Sequence, residues 1–503
     1  MKKTVIKISI VTVFFSVLAI TGCEKILEPE IQGQVALDHL VTSENGLITA
    51  VNGIYTPLQA LYVGPMQRLT DMASDDGWTW RNELEPDLFI AEPVFSHSQS
   101  VWVGHYRGIT RANTVIDNLD KVTFSKAETG HNIEGQAKFL RAFYYFNLVR
   151  LFGGVPLIVN EIKSREDSEM PRASVREVYD QIKKDLVDAR SLLPETFSSG
   201  YGNEAGRATS LAASSLLSLV HLELEEWDQA VENMDRVIGK KTLQPNYASY
   251  FNGSAENGAG SLFEVQYGGV DASNTSTLSN FLAPPALSGG AIILPTDDNL
   301  EGKGGGPSSG NGIIQAYEEQ DLRKQVNFNT YGLANIVDAT QPAGSLYYVH
   351  KFYNTRDPLG RSTWNYPLIR YPEIILAKAE ALNEIGYQAD GEAFDLLNQI
   401  RRLAGVPAYT SVQLATQQDF RNAIRKERRL ELAFEAKRYF DLNRWGILKE
   451  SIQPQLDFLK ISFPTHRTVA HPVTGKNTYL YPIPAIEFVN NAQLGEQNPG
   501  YNN

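Results

Sequence analysis

The chain of 503 residues contains a single cysteine. One thiol cannot close an intrachain disulfide or build a multi-thiolate zinc site. Positive charge is also scarce: 46 Lys and Arg stand against 58 Asp and Glu, a formal net charge of -12. That balance argues against a nucleic-acid binder, whose affinity comes from neutralising phosphates. The eight histidines are scattered, with no pair at metal-ligand helix spacing and no His-Glu-x-x-His pattern. There is no Gly-x-Ser-x-Gly nucleophile elbow and no phosphate-cradling Gly-x-x-x-x-Gly-Lys. Neither a catalytic residue nor a cofactor is therefore expected. Beyond the first residues no segment is apolar enough to span a membrane. What remains, 42% hydrophobic and 21% charged residues, is the composition of a globular protein.

The place of the lone cysteine is more informative than its number. Lys2, Lys3 and Lys7 form a basic start, and Ile8 to Ile20 is an almost wholly apolar run. It is too short for a membrane-spanning helix, which needs roughly 20 residues. It fits the apolar region of a secretory signal. The run ends Ile20-Thr21-Gly22-Cys23, which resembles the lipobox of bacterial lipoproteins. Residues 1–22 are expected to be removed and Cys23 to carry a lipid, with residues 23–41 as a tether. Loss of three lysines would take the formal charge from -12 to -15. The protein is expected to be anchored to a membrane without crossing it.

After the tether, periodicity predicts a mostly α protein. Ser43 can cap a helix to about Tyr62, with Pro57 kinking or dividing it. Trp102, Tyr106, Ile109, Ala112, Ile116 and Leu119 recur at helical spacing. Three stretches read as helix pairs: 136–152 with 174–193, 209–224 with 229–238, and 373–385 with 392–404. Small residues sit where paired helices must meet, Ala212 with Ala230, and Ala377 or Ala381 with Ala393. A further helix is predicted over 418–436. The pairs weakly match the helix-turn-helix repeat of tetratricopeptide type, about four in all. Residues 252–315 are rich in Gly, Ser, Asn and Pro and read as loop, including the run 304–310. Short strands are predicted at 261–267 and 347–353.

An ordered set of motifs then runs along the chain. It comprises Trp102, Tyr106, Ile109, Ala112 and Asn113, then Ala137 to Ala142 continuing to Leu151-Phe152-Gly153-Gly154-Val155-Pro156. Arg370-Tyr371-Pro372-Glu373 follows with Ala379-Glu380-Ala381, then Glu427-Arg428-Arg429, Glu431-Leu432, Glu435, Arg438 and Asp441 to Trp445. Leu480-Tyr481-Pro482-Ile483-Pro484 and Gln497-Asn498-Pro499-Gly500-Tyr501 close it. In this the chain resembles the SusD/RagB family of outer-membrane nutrient-binding lipoproteins. The resemblance implies one SusD-like domain over 42–503, with an N-terminal family region at about 42–240 and a C-terminal one at about 260–503. It implies a scaffold of tetratricopeptide-like helix pairs, with long loops and short strands carrying the ligand face. It also implies capture of a glycan, or in some members a peptide, and its delivery to a TonB-dependent outer-membrane transporter of the SusC type.

Ligand contacts are expected from Ala73 to Asn82. Polar turn residues and a glycine make this a loop. Trp78 and Trp80 could stack on a sugar ring, while Asp75, Asp76 and Asn82 hydrogen-bond its hydroxyls. Packing of the tryptophans against the scaffold is the alternative, and a calcium ion at Asp75-Asp76 is another. Trp364 and Tyr331, in two further polar stretches, could complete a platform; for Trp364, packing over the start of the helix at Arg370-Tyr371-Pro372-Glu373 is the alternative. Residues 419–444 carry eight basic and five acidic side chains. Glu427 and Glu431 could in principle be a glycosidase pair, which must flank a bond in a cleft. Their arginine neighbours at three- and four-residue spacing favour an ion-pair lattice instead.

The Cys23 reading has a direct test. C23A should abolish metabolic lipid labelling and free the protein from membranes; a C23A chain that is still labelled would overturn it.

Overall fold

In the computed structural model, residues 41–79, 85–89, 91–197, 204–268, 274–283, 293–298, 309–332, 345–353, 361–462 and 479–501 are described. The expected signal, Cys23, the tether, Trp80, Asn82 and most of the glycine-rich run lie outside them.

Helices of seven or more residues are numbered. They are α1 (Glu44–Leu61), α2 (Ser96–Asn118), α3 (Ala127–Phe152), α4 (Val175–Leu192), α5 (Ser210–Glu223) and α6 (Trp227–Asp235). There follow α7 (Tyr371–Ile385), α8 (Glu392–Leu403), α9 (Gln417–Glu431), α10 (Arg438–Arg444) and α11 (Leu448–Ser462). From α1 to α7 each helix packs on the next, and α7 then packs on both α8 and α9. This is a mostly α, tetratricopeptide-like succession of helix pairs.

Local chemistry sets the ends. The Ser43 side chain accepts the Gly46 N–H at the start of α1. Ser174 and Glu177 form a reciprocal capping box on α4. Pro57 was expected to kink or divide α1; it does not divide it, since the helix runs unbroken over Glu44–Leu61. A proline removes the bond to the carbonyl four residues back, here Gly53. That oxygen accepts instead from the Arg111 guanidinium at 2.6 Å. The predicted start of α3 at 136 is nine residues late, because Thr129, Asn132 and Gly135 break its apolar pattern although all three are buried.

α3 is the central rod, buried on nearly every side over its last two-thirds. Arg141 on it pairs bidentately with Asp185 of α4 (2.8 and 2.7 Å) and donates to Asn113 of α2 at 2.8 Å. Two motif residues far apart in sequence thus meet at one three-helix junction. α3 stops at Gly153, whose φ of +73° suits glycine. The C-terminal segment covers that end: Tyr481 N–H donates to Leu151 O at 2.8 Å, and Asn498 Nδ2 to Phe152 O at 2.9 Å. Arg172 ties in Asn498 at 2.6 Å.

Strands are few and short. Three antiparallel pairs form: β1 (Gly77–Trp78) with β3 (Leu294–Pro295), β2 (Ser261–Val265) with β6 (Tyr366–Arg370), and β4 (Phe328–Gly332) with β5 (Ser345–Val349). β2 and β5 fall at the predicted strands and end earlier than predicted. β6 leads straight into α7, and β3 lies against β5.

α2 and α3 approach so closely that a Cβ on Gly108 would lie 2.1 Å from the Tyr144 ring. Tyr144 is held by its hydroxyl on Ile54 O at 2.6 Å, so the ring has no free retreat. Gly108→Ala should therefore lower stability by about 1–3 kcal/mol, outweighing the roughly 1 kcal/mol that alanine gains in a helix. Urea unfolding measures it; an unchanged or higher midpoint would show that the helices are not pinned there.

Candidate functional site

The helix predicted over 418–436 stops five residues short of its expected end, and a separate helix follows it. α9 ends at Glu431, and Phe434 and Ala436 take φ of 60° and 58° before α10 begins. Such values are costly for non-glycine residues. The turn sends successive charged side chains to different partners, which one straight helix could not do.

The partners form a buried lattice. Arg323 contacts Glu427 at 2.7 Å and Glu431 at 3.1 Å. Arg370 holds Glu431 at 2.9 Å and Glu435 through two bonds of 2.7 Å. Lys351 reaches Glu435 at 2.6 Å and lies 4.3 Å from the centre of the Phe251 ring. Arg428 pairs with Asp441 at 2.9 Å, and Arg444 bridges Asp441 at 2.9 Å and Glu380 at 2.5 Å. Burial raises the Glu435 carboxyl, but Arg370 and Lys351 carry it below its ordinary value. Burial likewise opposes ionisation of Asp441, yet Arg428 and Arg444 pull it down to about 2. Lys351 is lowered to about 8, by burial above all. Glu427 and Glu431 are thus committed to arginines inside the protein and flank no open cleft.

The same lattice claims two of the expected ligand residues, and a third is buried beside them. Arg438 grips Asp75 at 2.7 and 2.8 Å. Arg429 reaches Asp76 at 2.6 Å and the Asp75 carbonyl at 2.7 Å. Burial raises Asp75, and Arg429 with Arg438 brings it below its usual value; Asp76, with burial the larger influence, stays raised. The positive charge at this pair comes from two guanidinium groups in the place considered for calcium. Among the described residues no group of three or more His, Cys, Asp or Glu could hold a metal ion. Trp78 is 1% exposed, and its indole N–H donates to Pro295 O at 3.0 Å. The expectation that Asp75, Asp76 and Trp78 line a surface loop is corrected: they are interior residues of β1 and the turn before it. A paired indole and arginines from 350 residues away could not be read from the local composition.

These buried anchors set the direction in which the chain leaves β1. Thr79, the last described residue before Trp80 and Asn82, donates its N–H to Asp87 at 3.0 Å. Tyr331 lies in β4, in register with Leu346 of β5. β3, the partner of β1, lies against β5, the partner of the strand that bears Tyr331.

Trp364 is half-buried just before β6. Its indole lies on Gly253, whose φ is +73° and whose added Cβ would meet Cδ1 at 2.4 Å. Only a glycine admits this contact. Beside it, Asn365 Nδ2 donates to Glu264 and Gln266, both at 3.0 Å, and its N–H donates to Glu256 at 2.7 Å. Gln266 and Asn257 exchange two amide hydrogen bonds at 2.8 and 3.0 Å. Burial raises both Glu256 and Glu264. Behind this cluster a cleft of about 230 Å³ is lined by Asn52, Tyr55, Gln59, Arg207, Glu264 and Gln266. An indole, amides and carboxylates in one patch is the chemistry that binds hydroxylated rings. The sequence reading missed Glu256, Asn257, Glu264 and Gln266. A carboxylate and an amide two residues apart on one strand were the only local signal, and Asn365 joins them from a hundred residues away.

Comparison with known proteins follows the same division. A model described as the SusD family matches residues 264–501, and one described as "starch-binding associating with outer membrane" matches 40–222. The chain is 28% identical over 433 residues to SusD-like protein P2 of Formosa agariphila, covering 80% of each. It is 25% identical to SusD-like protein P25 of the same organism, over 98% of this chain and 99% of that one. A solved laminarin-binding SusD-like protein superposes with a TM-score of 0.72 at 23% identity, over 92% of this chain and all of that one. A SusD-like structure from Bacteroides fragilis gives 0.71 at 24%, over 92% and 98%.

The lattice makes stability depend on acid. Asp441 titrates near 2 in the fold against an ordinary 3.8, so its contribution is complete above about pH 4 and fades towards pH 2. Asp441→Asn should lose on the order of 3 kcal/mol near neutrality by leaving buried arginine charge uncompensated. It should also flatten the fall in stability between pH 4 and 2. Denaturant titration across that window checks both; a parallel pH profile would assign the acid sensitivity elsewhere.

Proposed function

The chain belongs to the SusD-like family, and from that membership we propose that it is a glycan-binding lipoprotein of the outer membrane. In this reading it captures an oligosaccharide or polysaccharide at the cell surface and passes it to a SusC-like TonB-dependent transporter. It has no catalytic step of its own, and Cys23 carries the lipid that holds it.

The observation that carries the reading is the patch around Trp364. An indole seated on Gly253 keeps part of its surface outward, while Glu256 and Gln266, both braced by the buried Asn365, place a carboxylate and an amide beside it. The aliphatic face of a sugar ring stacks on such a ring system, and amides and carboxylates satisfy its hydroxyls. Trp80 and Asn82, which follow β1 in sequence, and Tyr331, in β4, are the further proposed contacts. Asp75, Asp76 and Trp78 serve this face as its foundation and touch no ligand. The fold supports the reading by providing a rigid base: β1 is tied by Arg429 and Arg438 to α9 and α10. The acidic balance of the chain, -12 overall, favours neutral over polyanionic glycans.

A glycan array probed with the detergent-solubilised full chain, including starch and laminarin because relatives carry those names, identifies the ligand class. On a glycan so found, Trp364→Ala and Trp80→Ala should each weaken binding by roughly 1–3 kcal/mol, the range for stacking on an aromatic side chain. Calorimetry reads the change. Unaltered affinity in both variants would remove the proposed contacts, and binding of peptides with no glycan bound would replace the glycan by a peptide.

A further inference from the structure

A second cleft lies far in sequence from the Trp364 patch, between α2 and the C-terminal segment. Its volume is about 360 Å³, within the usual range for small-ligand sites. Trp102 and Tyr106 form its floor, with ring centres 5.0 Å apart and planes tilted by 41°. The Tyr106 hydroxyl is already engaged with Pro156 O at 2.8 Å. Pro156, Ile158 and Leu494 add apolar wall, and Asn490 and Thr110 add neutral polar groups.

One acid faces this space. Glu487 is half-buried in the short helix Ala485–Asn490 and lines the cleft together with Trp102. No cation pairs with it among the described residues. Burial raises its pKa with no basic group to offset it. A half-desolvated carboxylate without a counter-ion is costly. Arg107 also lines the cleft but is exposed at the rim, where water screens its charge. Inside, negative charge and the electron-rich faces of two aromatic rings converge. That is the environment that attracts an organic cation.

We propose that this cleft is a binding site for a small organic ammonium, a primary or methylated amine carried on a single ring. The ammonium meets the Glu487 carboxylate. The ring lies along Trp102 and Tyr106, and the apolar wall excludes water from the pair. Such an amine could belong to an amino sugar or to an aromatic compound; the recognising chemistry is the same, and it does not rest on the glycan reading above.

Ligand-observed NMR titrations on the solubilised full chain test it with two matched pairs. Glucosamine is set against N-acetylglucosamine, and phenethylamine against 2-phenylethanol. The expected result is that at least one amine binds roughly tenfold or more tightly than its neutral partner. Preference within the first pair assigns an amino sugar, and within the second an aromatic amine. Glu487→Gln should erase the preference. Val103→Lys places a fixed cation at an exposed position on the cleft, and should weaken amine binding through repulsion. It keeps the test decisive if Glu487→Gln does not fold. Neutral and charged partners binding alike, no probe binding at all, or a preference that survives in the variants would each overturn the proposal.

Discussion

The structure depends on the transfer of guanidinium groups out of water and onto carboxylates along α9 and α10. Arg370, Arg323, Arg428, Arg429, Arg438 and Arg444 are all largely buried, and each meets at least one buried acid. Desolvating such pairs costs several kcal/mol per ion, which their attraction only about repays. The lattice is therefore weak evidence for extra stability. What it enforces is geometry. The planar fork of arginine accepts a partner only in the right plane and at the right distance. Any displacement of α9 against β6, α7 or the turn before β1 strands a charge.

That constraint explains the division of labour along the chain. Helices α1 to α7 stack by shape, through glycine and alanine contacts such as Gly108 on Tyr144 and the fully buried Ala212 and Ala230. The strands have too few residues to hold themselves; isolated two-stranded pairs are marginal in water. They are fixed by charge instead. Arg370 is the last residue of β6, and Asp75 and Asp76 immediately precede β1. The segments proposed to face the ligand thus start from points that the lattice immobilises.

Much of the scaffold was legible because helix signals are local. Ser43, Ser174 and Thr209 cap where their types suggest, and Gly153 ends α3. The density of charge over 419–444 correctly pointed to an ion-pair lattice. The break after Glu431 was not legible, since no glycine or proline marks it; Phe434 and Ala436 adopt left-handed backbone because their neighbours' charges are claimed from opposite directions. Pro57 misled for the same reason in reverse, its damage being repaired by Arg111 from another helix. At the candidate site the failure is instructive. Asp75, Asp76 and Trp78 carry every local sign of an exposed polar loop, and only residues more than 200 positions away turn them inward. Around Trp364, a proposed contact, the amides of Asn257 and Gln266 flank β2, and nothing local in their sequence points to Asn365.

The pairing of Asp75 and Asp76 with Arg438 and Arg429 spans some 350 residues of chain. The end of α3 is likewise covered by Tyr481 and Asn498, near the last residues of all. Parts of the chain that are remote in sequence are therefore coupled in stability. Pulling α9 and α10 away uncovers two buried carboxylates ahead of β1, and lifting the C-terminal segment bares the last carbonyls of α3. Neither end of the scaffold can loosen without leaving a polar group unmatched at the other.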